Sequence, residues 1–404
     1  MSATLRAPAA RSRPPAVART RREVLPYGRH EVTEDDIAAV VAVLRSNRLT
    51  TGPELDAFEA AVAAAVGARE AVAFSSGTAA LHAACAAAGL KPGDDAVTTP
   101  LTFCATANAV LYTGATPVFA DVVPDTLTID PERIRERLTP RTKAILPVDY
   151  AGHPAALDAL LALADERGLT VIEDGCHALG ARWRGRPVGS VSHMTVFSFH
   201  PVKHITTGEG GMVTTDSGVL ARRLRQFRSH GIFSDPNRRA RRGTWWYDMT
   251  SLGRNYRLSE IACALGRSQL KRLEPIIARR TAIASAYEAA FRELPALRVP
   301  VTARDARHAW HLYPVRIIPE RSRADRDTVF RALRQAGLGV NVHYRPVHLL
   351  AYYRKRFGYR GGECPVAEAA GAQLLTLPLF HGMRDTDVER VIQAVRTVLK
   401  SYAG

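Results

Sequence analysis

A chain of 404 residues, 46% of them apolar, exceeds one small core and suits a large domain joined to a smaller one. No apolar run approaches the roughly 20 residues of a membrane span, and five scattered cysteines, odd in number and without a CxxC pair, argue against a zinc site or a disulfide framework and fit a reducing cytosol. The net charge of +16 opens a nucleic-acid-binding or regulatory reading, yet there is no basic strand interleaved with aromatics, no helix-turn-helix and no zinc pattern to carry it.

Part of that charge is local. Residues 1–22 hold six arginines, no acidic residue and many Ala and Pro, which predicts a disordered tail over 1–24. The tail lacks the apolar segment of a secretory signal, while its Arg-rich, acid-poor composition is shared with organellar transit peptides. After it, "TEDDIAAVVAVLRSNRLTTGPELDAFEAAVAAAVG" reads as two helices flanking a Thr-Thr-Gly-Pro turn. Strand-like runs ("EAVAF", "TPVFAD", "KAILPV", "LTVIEDG") then alternate with helical stretches ("GTAALHAACAAAGL", "PAALDALLALADERG") over about 71–215, so the expected fold class is α/β with a mainly parallel sheet.

"TVFSFHPVKHITTGEGGMVTT", residues 195–215, reads as a strand, a tight turn holding Lys203, and another strand. A helix "SGVLARRLRQFRSHG" follows, then the loop "SDPNRRARRGTWWYDM", whose Arg238, Arg239, Arg241 and Arg242 are either solvated or phosphate-facing. One long helix from Ser259 to about Leu294 bridges to a small C-terminal α+β domain: strand "HLYPVRII", helix "RDTVFRALRQAG", strand "VNVHY", then terminal helices. The expected boundaries are a tail over 1–24, a large domain over 25–295 and a small one over 296–404.

Three segments at strand ends carry the chemistry. In "VAFSSGTAALHAA" a strand runs through Ser-Gly-Thr into a helix, whose free N–H groups and dipole favour a phosphate beside Gly77 and Thr78, although an ordinary helix cap gives the same pattern. "LTVIEDGCHALGA" ends a buried strand in Asp174, with His177 three residues on, and Cys176 between them reads as an inert buried thiol. Lys203 sits among strand ends with Ser198 nearby, where partial desolvation lets its amine lose a proton and attack a carbonyl. A phosphate cradle, an acid for a ring nitrogen and a desolvated lysine together fit pyridoxal phosphate (PLP). His200 and His204, four apart but in a turn rather than a helix, do not make a metal site.

With "TTPLTFCATANAV", "VDYAGHPAALDAL", "GRNYRLSEIACALGRSQL" and "VNVHYRPVHLLAYYR", these segments resemble the ordered motifs of the DegT–StrS family of nucleotide-sugar aminotransferases over about 25–400. The resemblance implies fold type I of PLP enzymes and a homodimer with shared active sites. It makes Lys203 the residue that bonds the cofactor and carries the proton, Asp174 the partner of the ring nitrogen, and His177, where many relatives have Gln, the residue facing the ring's phenolic oxygen. By the same resemblance Phe103 stacks on the ring, Gly77, Thr78 and Ser198 bind the phosphate, and Asn255 completes that cradle from the other subunit. His343 and Tyr344 border the sugar, with Tyr27 and Tyr150 as further candidates. The implied reaction takes an amino group from an amino acid, glutamate by analogy, to a keto group of a nucleotide-linked deoxysugar. "SFHPVKHITTGEGG", "VDYAGHP" and "NVHYRPV" are most similar to the branch acting at carbon 4 of UDP-4-keto-6-deoxy-N-acetylhexosamines, as in pseudaminic-acid synthesis. A related dehydratase branch has His in place of the lysine; here Lys203 holds that position and His204 follows it.

Overall fold

The computed structural model describes residues 24–233, 240–241 and 243–402. Residues 1–23 of the predicted tail and Arg238, Arg239 and Arg242 of the basic loop therefore lie outside the described residues.

Seven strands form the main sheet: β1 (Glu70–Phe74), β2 (Asp95–Thr98), β3 (Thr116–Phe119), β4 (Thr142–Leu146), β5 (Thr170–Asp174), β6 (Met194–Ser198) and β7 (Gly211–Thr215). Their order is β1-β7-β6-β5-β4-β2-β3, and β7 alone runs against the rest. Neighbouring residues of a strand serve opposite faces. Val72 and Phe74 enter one core with the helix over Gly77–Ala87 and with Val213, while Ala71 and Ala73 enter another with Phe58, Phe197 and Met212. Two apolar faces are why these strands read as continuous hydrophobic runs rather than alternating ones.

The covering helices are α1 (Glu34–Leu44), α2 (Pro53–Val66), α3 (Gly77–Ala87), α4 (Ala105–Tyr112), α5 (Leu157–Arg167), α6 (Gly218–Arg228) and α7 (Glu260–Leu270). The expected single helix over 259–294 is two, α7 and α8 (Leu273–Phe291). Pro275 explains the break: inside a continuing helix its ring would meet the carbonyl of Lys271, whereas in the first turn of a new helix it is tolerated. The start of α8 packs Ile276 and Ile277 against the main sheet, and its end carries Ile283, Tyr287 and Phe291 into a separate C-terminal core.

That core is built on a three-stranded antiparallel sheet of β8 (Leu297–Arg298), β9 (Tyr313–Ile317) and β10 (Leu374–Leu377), with α9 (Arg326–Gln335) and α10 (Asp385–Ser401) packed on it. The expected strand "VNVHY" does not form. Only Leu338–Gly339 is extended in a ladder, pairing in parallel with Leu25–Pro26, and beyond it Asn341 makes one isolated bridge to Thr376. The Asn341 side chain accepts the Val342 N–H at 2.8 Å, a local bond that competes with ladder formation. Its place in the sheet goes to β10, the unpredicted "LLTL". The turn after β6 is not tight either: Phe199 pairs with Gly210, and a loop spans 200–209 between them.

One acid secures the start of the chain to α7. Gly52, at the N-terminal cap of α2, has no side chain to cap with; the fully buried Glu260 accepts the N–H groups of Gly52, Glu54 and Leu55 at 2.9, 2.8 and 3.2 Å. Glu260→Ala removes the acceptor of three N–H groups at once, two of them buried, and thermal or urea unfolding should show a loss of about 3 kcal/mol, the scale of charge-assisted hydrogen bonds removed from a buried site.

Candidate active site

At the carboxyl ends of the parallel strands lies a cavity of about 550 Å³. Strand ends converge there because each strand–helix crossover leaves its loop on that edge.

One wall is the β1–α3 junction. Ser76 caps α3, its hydroxyl accepting the Ala79 N–H at 3.1 Å. Gly77 follows, and a Cβ built on it would fall 2.9 Å from Ser198 Cβ, across the same space from β6. The first N–H groups of a helix have no carbonyl within it, so Gly77, Thr78 and Ser198 form a narrow donor-lined cradle of the kind that takes a phosphate. Gly77→Ala should therefore lower cofactor affinity at least tenfold and leave secondary structure intact; fluorescence titration of the apoprotein with PLP beside a circular dichroism spectrum checks both.

The floor is Asp174 at the end of β5. Its Oδ2 accepts the Thr106 hydroxyl at 2.7 Å and its Oδ1 the Cys176 N–H at 3.2 Å, and Thr102 in turn bonds Thr106 at 2.8 Å. The carboxylate is thus aimed from two sides. Beside it the Cys176 thiol is driven well above its ordinary range by burial and by the Asp174 charge, which leaves it un-ionised.

Lys203 is half-buried in the 200–209 loop and lines the same cavity. Burial lowers its amine from the usual value, partly opposed by Cys176 and Asp174. His177 is buried, with Nε2 3.2 Å from the Tyr344 hydroxyl and its ring centroid 4.5 Å from that of His311. Burial and then Lys203 hold His177 well below its ordinary range, so the imidazole is neutral. Its Nδ1 is buried without a partner. The Gly77 cradle, this unpartnered ring nitrogen, an aimed carboxylate and a partly desolvated amine fit pyridoxal phosphate.

The opposite wall comes from the C-terminal unit. His343 lies between Thr376 Oγ1 at 2.9 Å and Asn341 Nδ2 at 3.4 Å, and burial lowers it to about 4. Tyr27 packs its ring 5.2 Å from His343 and Tyr344 borders Phe103 at 6.2 Å, with Phe103 itself 58% exposed at the rim.

Of the residues expected from sequence, Gly77, Thr78, Phe103, Asp174, His177, Ser198, Lys203, Tyr27, His343 and Tyr344 all line this cavity. Two do not. Tyr150 is buried in the adjoining core with Leu312 and Val347, and its hydroxyl donates to the His343 carbonyl, so it supports the wall from behind and does not meet a ligand in the cavity. Asn255 is exposed and is not among the residues that line the cavity of its own chain. Sequence reasoning missed Thr102 and Thr106, which orient Asp174, and also Glu209, His311 and Asn341 in the lining. Thr106 was findable, standing three residues after Phe103 in the same motif; His311 carried no local signal.

The DegT/DnrJ/EryC1/StrS aminotransferase family matches residues 30–396. The spore coat polysaccharide biosynthesis protein SpsC of Bacillus subtilis is 42% identical over 382 residues, 94% of this chain and 98% of SpsC. Among solved structures, Helicobacter pylori PseC, an aminotransferase involved in the biosynthesis of pseudoaminic acid, superposes with a TM-score of 0.87 at 29% identity, covering 94% of this chain and 100% of that one. Spr1654 of Streptococcus pneumoniae, solved in its PLP form, gives a TM-score of 0.87 at 28% identity over 94% and 99% of the two chains.

Proposed function

The chain belongs to the DegT/DnrJ/EryC1/StrS aminotransferase family, and on that premise we propose that it moves an amino group from glutamate to carbon 4 of a UDP-linked 4-keto-6-deoxy-N-acetylhexosamine. Its sugar-aminotransferase activity and its use of PLP follow from the family; the donor, nucleotide and keto position are the proposal. The observation that carries it is the meeting of Lys203, Asp174 and the Gly77–Ser198 cradle in one cavity. Lysine at 203 favours amino transfer over the dehydratase chemistry of the branch with histidine there. Membership favours this enzymatic reading over that of a nucleic-acid-binding regulator.

When bound, PLP supplies an aldehyde that bonds amines and a ring that accepts electrons from the carbon losing its proton. Gly77, Thr78 and Ser198 would hold its phosphate, and Asp174 would keep the ring nitrogen protonated through a charge-assisted hydrogen bond. Phe103 would cover one ring face. His177, kept neutral, can donate one N–H toward the phenolic oxygen while Tyr344 occupies its Nε2 side. Lys203 Nζ would take the proton from Cα of the amino donor and later return one to the sugar carbon that receives nitrogen. An amine that shuttles protons at neutral pH must sit below its free value of about 10.4, and burial moves Lys203 that way. His343, Tyr344 and Tyr27 would face the sugar, offering neutral hydrogen-bonding groups.

The same reading makes the enzyme a homodimer. Supporting it are exposed apolar side chains, Leu44 on α1 and Trp245 and Leu252 in the segment before Asn255, the last two more than 70% exposed. If Asn255 reaches the neighbour's phosphate cradle, Lys203→Ala and Asn255→Ala proteins, each inactive alone, should regain activity when unfolded together and refolded as a mixture. Each hybrid dimer then holds one site with both residues intact. Turnover of the mixture no higher than that of the separate variants would place Asn255 outside the site. The five free cysteines support a reducing compartment for this reaction.

A further inference from the structure

Directly behind Asp174, two carboxyl groups that the reaction does not use face each other out of reach of water. Asp149, just past β4, and Glu173, in β5, are both fully buried. Backbone bonds hold the two strand ends side by side: the Asp149 N–H donates to the Asp174 carbonyl at 3.1 Å and the Asp174 N–H to the Pro147 carbonyl at 2.8 Å. Each carboxyl has one oxygen supplied with a donor. Asp149 Oδ1 accepts the Ala155 N–H at 2.9 Å, and Glu173 Oε2 the Thr195 hydroxyl at 2.7 Å. Asp149 Oδ2 and Glu173 Oε1 are buried without an N–H or O–H donor, and the two side chains are hydrogen-bond neighbours. Among the described residues, the other groups facing the pair are the Ser192 hydroxyl, itself without a partner, the Asp174 carboxylate and the Cys176 thiol, none of them a cation.

Two ionised carboxylates would set acceptor against acceptor in a dry interior, an arrangement that proteins relieve by keeping a proton. We propose that Asp149 and Glu173 hold one proton between them, resident on Asp149, so that Asp149 is a neutral donor and Glu173 is the one negative charge behind Asp174. The assignment to Asp149 follows from the donors: Glu173 has the Thr195 hydroxyl and Ser192 beside it, whereas Asp149 has one backbone N–H. Burial and the Glu173 charge together hold the Asp149 carboxyl well above its ordinary range.

The bond has a positioning role. Asp149 stands between Val148, which lines the cavity, and Tyr150, whose hydroxyl donates to the His343 carbonyl and which opens the turn that follows. Clamping Asp149 to Glu173 therefore fixes that turn to the strand that presents Asp174. The inference is independent of which nucleotide sugar is the substrate.

Infrared difference spectroscopy of the holoenzyme at mildly alkaline pH tests it. The wild-type protein should show a protonated-carboxyl stretch that moves in deuterium oxide and is absent from Asp149→Asn. That variant, whose amide N–H can replace the acid O–H toward Glu173, should keep the cofactor's visible band and turnover within a few-fold of wild type. Asp149→Ala, with no donor, should lose at least tenfold in kcat. A wild-type spectrum lacking the carboxyl stretch overturns the proposal without need of a variant, and so does a stretch that persists in Asp149→Asn. If Asp149→Asn does not fold, Glu173→Gln serves instead: changing the acceptor must displace or remove the stretch, and an unaltered one again overturns it.

Discussion

Lys203→Ala abolishes turnover and leaves the protein folded: that is the expected result with the largest effect. The side chain stands half-buried in the 200–209 loop, where its backbone N–H bonds the His200 carbonyl and no core cluster depends on it. Removing it deletes the one amine among the described residues that line the cavity, and with it, on the roles proposed for Lys203, both the covalent attachment of the cofactor and the proton carrier. Borohydride should fix the cofactor to wild-type protein on the peptide containing Lys203 and release it from the variant on denaturation. Normal turnover together with borohydride-fixed cofactor in the variant would assign the bond to another lysine.

Asp174→Asn is the second. The amide fills the same volume and can still meet Thr106 and the Cys176 N–H, so folding and cofactor binding should survive. What it cannot supply is the negative charge that, in the role proposed for Asp174, would keep the ring nitrogen protonated. A charge-assisted hydrogen bond of about 1.5–3 kcal/mol, realised in the transition state, corresponds to roughly a ten- to hundredfold fall in kcat. Steady-state kinetics should show that fall with little change in KM for the amino donor, since the lost interaction matters most where charge develops. Unchanged kcat would move the role to another acid.

Most of the main sheet was legible because its strands, buried on both faces, leave long apolar runs bounded by Gly and by polar strand ends. Three residues that the fold gathers at the cavity were legible for a related reason: Gly77, Asp174 and Lys203 each sit where such a run stops. Legibility failed where tertiary contacts overrode local pattern. "VNVHY" alternates like a strand, but the Asn341 side chain takes its neighbour's N–H and the ladder passes to "LLTL". Pro275 was visible in the sequence, yet an unbroken helical periodicity around it hid the restart of the helix. Tyr150 is two residues from Val148 in the cavity wall, and only the fold could turn its hydroxyl to the His343 backbone instead of into the cavity. His311 enters through a segment held by the buried Arg280, whose guanidinium bonds the Trp310, His311 and Leu379 carbonyls at 3.1, 3.2 and 3.1 Å, a long-range clamp with no local signature.

The measurement that bears most directly on the central claim is transfer of isotopic nitrogen. The holoenzyme is incubated with ¹⁵N-labelled glutamate and a UDP-4-keto-6-deoxy-N-acetylhexosamine, and the sugar product is examined by mass spectrometry and ¹⁵N-coupled proton NMR. One labelled amino group is expected on carbon 4, formed in step with 2-oxoglutarate and absent with Lys203→Ala. A sugar that loses a hydroxyl without gaining nitrogen, or one that is recovered unchanged, would contradict it.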